Sequence, residues 1–175
     1  MSIKHNSLSR QVGSTLIETS IALFILAIGL LGIIAMQATG VKSGQRAQLS
    51  SEALFLANDM ADRIAAYDDL GNDLDDGDFN NLIGGGIDTA NDYGEPSCPS
   101  AGCNRAQQIT FAAASWKEQF DERLPGGRGM VRYDIPRSVY RVIVMWDNEM
   151  TGADGTGCGS DADVDMACYV MEVAL

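Results

Sequence analysis

Four cysteines, Cys98, Cys103, Cys158 and Cys168, and one histidine, His5, carry the most specific chemistry in this 175-residue chain. A single histidine excludes metal centres and acid–base machinery built on several. The cysteine spacings, four and nine intervening residues, lack the tight CxxC pairs of common zinc sites. An even cysteine count reads instead as disulfides wherever the chain meets an oxidising compartment. Three pairings are open. The local ones, Cys98 with Cys103 and Cys158 with Cys168, are favoured because each closes a short loop in a Gly-rich, weakly packed region.

The acidic residues offer two further temptations. Asp161, Asp163, Asp165 and Glu172 stand at positions 1, 3, 5 and 12 of an EF-hand loop. Met166, however, occupies the position that needs glycine for the sharp turn, and the segment YVMEVAL runs on as a strand where a helix is required. The segment NDLDDGD, Asn72–Asp78, fails in the same way, with Leu74 at a ligand position, and reads as a flexible acidic loop. GGRG at Gly126–Gly129 lacks the GK[ST] of a phosphate-binding loop. A pair of carboxylates can always be found among 24 acids, so such a pair has no discriminating value. The expectation is a chain without metal, without cofactor and without enzymatic activity. Twelve basic residues and a formal net charge of -12 argue against a phosphate-backbone binder, so no nucleic-acid partner is expected.

These residues are carried by a chain of unlike parts, which the mean hydropathy of -0.03 averages away. Residues 1–13 are polar, with Lys4 and Arg10 and no acid. Residues 14–36 contain an uncharged apolar run from Ile21 to Met36. With the residues before that run the stretch is about 20 long, enough to span a hydrocarbon core as a helix. Lys4 and Arg10 ahead of it predict a cytoplasmic N-terminus and a translocated remainder. Glu18 interrupts the simple anchor. A carboxylate at the centre of such a helix costs about 2.5–3.5 kcal/mol, less near the interface, and is a functional candidate by default.

Residues 37–67 continue without proline. Leu49, Ala53, Leu56, Met60, Ile64 and Tyr67 recur at steps of three and four, the stripe of an amphipathic helix, with Gln48, Glu52, Asp59 and Asp62 expected opposite. One nearly continuous helix from about Ser14 to about Tyr67 is expected, with Gly29, Gly32, Gly40 and Gly44 as points where it could bend. Residues 68–99 are rich in Asp, Asn and Gly and read as loop. A second helix is expected over Ile109–Leu124, with Phe111, Trp116, Phe120 and Leu124 on its apolar face and LPGG as its stop. Strands are expected at Gly129–Tyr133, Ser138–Trp146 and Ala167–Leu175. In the middle one, Tyr140, Val142, Val144 and Trp146 alternate as the helix-facing set. The fold class is α+β: a long N-terminal helix packed on a small antiparallel sheet, with residues 68–175 as an acidic globular domain.

The stretch GSTLIE, Gly13–Glu18, with basic residues before it and the apolar run after it, resembles a prepilin-type (type III) signal. The resemblance implies cleavage by prepilin peptidase between Gly13 and Ser14, and methylation of the new amine of Ser14. Thr15, Leu16 and Glu18 match the pattern; Ser14 stands where the family usually has phenylalanine. It also implies that Glu18 pairs with the N-terminal amine of a neighbouring subunit during assembly. More of the chain, LLGIIAMQATG through LAxDMADR-like Leu56–Arg63, and in patches residues 115–129 and 145–149, is similar to PilV-type minor pilins, the type IV pilus modification proteins. That similarity implies a pilin-like fold and a place in pilus assembly, initiation, motility or adhesion. The partners it implies are the inner membrane, other minor pilins and the major pilin, with a periplasmic C-terminal domain before transfer to the cell surface. Cleavage would remove Lys4, His5 and Arg10, leaving no histidine for a Ser-His-Asp or Cys-His system. Two alternatives are a minor pseudopilin of a type II secretion system and a membrane-anchored periplasmic binding domain that never polymerises.

Overall fold

A computed structural model describes residues 14–69, 86–94, 98, 102–159, 161 and 163–174. The first element is α1, Ser14–Asp69, a single helix of 56 residues. It ends two residues beyond the expected point and runs without interruption through Gly29, Gly32, Gly40 and Gly44. The glycines lower helix propensity, but with no proline in the segment every i→i−4 bond can still form. The chain divides into two compact units, Met1–Gln45 and Arg46–Leu175. In the first, every residue from Thr15 to Gln45 is exposed.

The second unit has a core of its own. Ala53, Leu56, Ala57, Met60 and Ile64 of α1 are fully buried and Tyr67 nearly so, while Leu49 packs partly against them. This is the stripe that the three–four spacing predicts. Glu52 and Asp59 do not lie on a free opposite face. They flank the stripe, and Asp59 accepts from Arg63 at 3.0 Å and from Gln119 at 3.1 Å, while Glu52 meets Arg123 at 3.5 Å.

Helix α2 spans Arg105–Arg123, four residues earlier at its start than apolar periodicity indicates. The cause is a capping box: the Asn104 side chain accepts from Gln107 N–H at 2.9 Å, and Asn104 N–H donates to the Gln107 side chain at 2.9 Å. Its buried residues are Ile109, Ala113, Ala114, Trp116 and Phe120. Phe111, expected on that face, is 38% exposed. At 3.6 residues per turn, Phe111 lies two residues from both Ile109 and Ala113, away from the stripe they form.

Four strands follow the order β1 (Ile87–Asp88), β2 (Arg128–Asp134), β3 (Val139–Trp146) and β4 (Ala167–Val173), each antiparallel to its neighbour. The short β1 lies in the stretch read as loop. Two residues carry no detectable alternation, and only their pairing with Val131 and Met130 makes them a strand. The β2–β3 connection is a short 3-10 turn, Ile135–Arg137, closed by Ser138 in the left-handed region at φ 53°.

Tyr140, Val142, Val144 and Trp146 lie on the inner face with Val131, in one core with α1 and α2. Met130, Met145 and Met166 form a second, smaller core on the outer face. Trp116 joins the two helices and the sheet. Its Nε1–H donates to the carbonyl of Leu56 at 2.9 Å, and its ring meets Phe120 edge-on at 4.9 Å. Glycine is required at position 129, because a Cβ there would collide with the Trp116 ring and the end of Phe120.

Gly129→Ala is therefore expected to displace Trp116, lengthen its bond to Leu56 and destabilise the globular unit by about 1–3 kcal/mol. Thermal unfolding followed through tryptophan fluorescence checks this; an unchanged transition would remove Trp116 from its proposed central place.

Candidate functional site

The chain's candidate functional residues fall in two places. The first is the start of α1. Thr19 Oγ1–H is directed at the carbonyls of Thr15 and Leu16, at 2.9 and 3.0 Å, and Ser20 Oγ–H donates to Leu16 at 2.8 Å. Thr39 does the same to Ala35 at 3.0 Å. These hydroxyls are satisfied by the helix itself, which makes them compatible with an apolar surrounding. Glu18 cannot be satisfied this way, because an ionised carboxylate has no proton to give to a backbone carbonyl. It has no cationic partner among the described residues. Around it Leu16, Ile17 and Ile21 are 72%, 64% and 55% exposed. An 18-residue window of the helix reaches a mean hydropathy of 2.5, long and apolar enough to cross a membrane. Gly13 lies outside the described residues; Ser14 is the first residue of α1.

The second place is the face of the globular unit reached by the segments around β3 and β4. Both local disulfides form: Cys98–Cys103 and Cys158–Cys168, with Cα separations of 5.3 and 5.2 Å. The second ties the segment between β3 and β4 to the outer face of the sheet, next to Met166. Within that segment Asp165 N–H donates to the carbonyl of Asp161 at 2.7 Å, and Gly159 passes so close to the Asp165 carboxylate that a Cβ would overlap it. Glu172 lies in β4 and pairs with Arg137 at 2.9 Å. The four acids of the EF-hand-like spacing are thus divided between a tight turn and a strand. Among the described residues no group of three or more His, Cys, Asp or Glu side chains could hold a metal ion. The stretch Asn72–Asp78 lies outside the described residues.

Sequence reasoning missed the contacts that shape this face. Arg128 grips Asp88 with two bonds, Nε to Oδ1 at 2.9 Å and Nη2 to Oδ2 at 2.6 Å, tying β1 to β2. Burial acts to raise the Asp88 pKa, but the Arg128 guanidinium and the Ala90 N–H outweigh it and hold the carboxyl below its ordinary value. The same pairing raises the Arg128 pKa. Arg46 of α1 donates to Glu149 after β3 at 2.7 Å. Asp147, 6% exposed, organises the turn that follows β3. Its carboxylate accepts from Thr151 N–H at 3.2 Å and Gly152 N–H at 2.7 Å, and its own N–H reaches the carbonyl of Pro125 at 2.9 Å. The only sequence signal for this was an Asp directly after a strand and shortly before Gly, the composition of an Asx-type turn.

A cleft of about 410 Å³ opens here, lined among others by Thr89, Arg128, Asp147 and Met166. Arg128 and Asp147 are already engaged in the bonds above, so the cleft presents structural charges and not a poised acid–base pair. Compared with protein-family models, with curated proteins and with solved structures, the chain matches none.

Burial acts to raise the Asp147 pKa, but the N–H groups of Gly152, Thr151, Glu149 and Met150 outweigh it and hold the carboxyl below its ordinary value of 3.8. A depressed native value means that the carboxylate contributes stability above pH 3.8 and loses it as pH falls through the lower native value. Asp147→Asn is expected to unfold at lower denaturant than the wild type at neutral pH, with the gap narrowing below that point. Urea titrations across pH 2–7 check the sign, and a gap that widens on acidification would contradict it.

Proposed function

We propose that this chain is a minor type IV pilin of PilV type, taking part in pilus assembly or initiation and in pilus-dependent motility or adhesion. The observation that carries the proposal is the uncovered apolar helix. Residues Thr15 to Gln45 are helical and exposed, and from Ile21 to Met36 they carry no polar or charged side chain. A helix apolar all round is stable only when lipid or other helices surround it. A pilin needs both: membrane before assembly, and the helices of its neighbours afterwards.

Glu18 supports this reading further. In a purely passive anchor, a carboxylate four residues from the new end of the helix is a cost without return. In an assembling subunit it meets the amine exposed by cleavage before Ser14, and charge neutralisation then favours docking at one axial register. Lys4 and Arg10 remain on the cytoplasmic side with the peptidase, and the globular unit folds in the periplasm, where its two disulfides can persist. The work of the protein is assembly, with no covalent chemistry of its own. The globular unit meets the other pilins.

Mass spectrometry of the mature protein tests the processing: a chain starting at N-methylated Ser14 is expected, and retention of residues 1–13 would favour a static anchor. Deleting the gene should reduce surface pili and twitching, and Glu18→Ala should lower incorporation into sheared pilus fractions by about tenfold or more. Normal piliation in a clean deletion, with protein secretion impaired instead, would assign the chain to a secretion system.

A further inference from the structure

The turn after β3 presents an apolar side chain in a conformation that the fold itself does not need. Met150 is 65% exposed and belongs to neither core of the described residues. Its φ of 56° lies in the left-handed region, ordinarily left to Gly or Asn. The two other side chains held there have local reasons: Ser138 closes the β2–β3 turn, and Cys158 is tied by its disulfide. A methionine kept at a cost to the backbone, with no return in packing, points to a use outside the fold. The turn is also held rigid, because the buried Asp147 carboxylate takes the N–H groups of Thr151 and Gly152, the two residues after Met150, at 3.2 and 2.7 Å.

The level of this turn along the chain follows from charge spacing. Between Glu18 and Lys42, residues 19–41 carry no charge. As a helix they extend about 34 Å, slightly more than a hydrocarbon core of about 30 Å. Lys42 therefore marks the edge of the hydrocarbon on the side of the globular unit. Arg46 follows at about 6 Å as one turn of α1, and four residues of chain hold it within about 14 Å of Lys42 in any conformation. The headgroup layer is itself about 5–7 Å deep. Arg46 donates to Glu149 at 2.7 Å. That bond brings Glu149, and Met150 beside it, to the level of the headgroups, and it neutralises the carboxylate next to the apolar side chain.

We propose that Met150 seats the globular unit on the phospholipid surface, its side chain entering the boundary between headgroups and acyl chains beside Arg46. A single exposed methionine elsewhere would need no explanation; one on a rigid, strained turn at headgroup level does. An unbranched thioether side chain adapts to an irregular apolar boundary. One such side chain suffices because α1 tethers the unit to the bilayer, so that the contact pays for no association from solution. The lipid it fits is zwitterionic, since a chain of net charge -12 is repelled by an anionic surface. This contact rests on the membrane-spanning part of the reading above and does not require polymerisation.

Methionine-methyl NMR of the full chain, one copy per phosphatidylcholine nanodisc, tests it. A nitroxide near the top of the acyl chains should broaden the Met150 methyl about threefold or more beyond that of Met60, which lies about 21 Å farther along α1 than Arg46. Met36, 79% exposed in the uncharged run, is the reference for spanning. If the lipid nitroxide leaves Met36 sharp, the membrane reading falls and the proposal with it. If Met36 broadens while Met150 responds only to a gadolinium chelate in the water, the proposal alone falls. Met166, 2% exposed and beside Asp147 and Gly152, reports the seating of the unit in variants. Met150→Gly should cut the lipid broadening of Met166 by about half, and Met150→Leu should keep it. Because Gly relieves the left-handed strain, Met150→Gly should unfold no earlier than the wild type. Earlier unfolding would make Met150 a structural residue and overturn the proposal. Shielding of Met150 that appears only with several copies per disc would assign it to a neighbouring chain, and would overturn it too.

Discussion

The indole of Trp116 is the contact on which the globular unit depends. A buried tryptophan N–H usually finds an acceptor, and here the acceptor is the Leu56 carbonyl in the last third of α1. The bond fixes α2 against α1 at one register. On its other side the ring reaches β2 so closely that only glycine fits at position 129. One side chain thus sets the spacing of two helices and a sheet, and the remaining core residues fill the volume it defines.

That arrangement covers one part of α1 and leaves another bare. From Ala53 to Tyr67 the helix needs a single apolar stripe, because the rest of the same chain supplies the opposing surface. From Thr15 to Gln45 it is exposed throughout. Two different surroundings are written into one helix, one intramolecular and one external. The proposed pilin role gives the external one a physical form, first lipid and then neighbouring helices. It also turns Glu18 from a liability into a reporter of whether a neighbour has arrived.

Much of this was legible in the residues. The stripe Leu49–Tyr67 and the alternation Tyr140–Trp146 both appear as buried sets, because burial against a partner requires those periods and little else produces them over such lengths. The two local disulfides were also legible, since short loops bring their ends together at little cost. The failures have physical causes too. Asn104 and Gln107 start α2 by reciprocal hydrogen bonds that carry no hydrophobic signal, so apolar periodicity placed the start too late. Phe111 is apolar in type yet sits off the buried stripe, and β1 is too short to show any pattern. Arg128–Asp88 and Arg46–Glu149 span 40 and 103 residues of sequence. Nothing local distinguishes such partners from any other exposed charge.

By itself, then, the sequence determined what depends on local composition and period: the run that is apolar all round, its carboxylate at Glu18, the amphipathic continuation, three of the four strands and the acidic balance. Those follow from side-chain chemistry repeated at the spacing of a helix or a strand, and no distant contact is needed to read them. The tertiary structure alone decided which charges are neutralised and which are left over. Arg132 and Arg141 are nine residues apart in sequence and become neighbours only through strand register, while Glu118 and Glu122 meet no cation among the described residues, Lys117 and Arg123 beside them being drawn elsewhere. Charge pairing is set by the few ångströms between groups that folding brings together, and that distance has no signature in the chain before it folds.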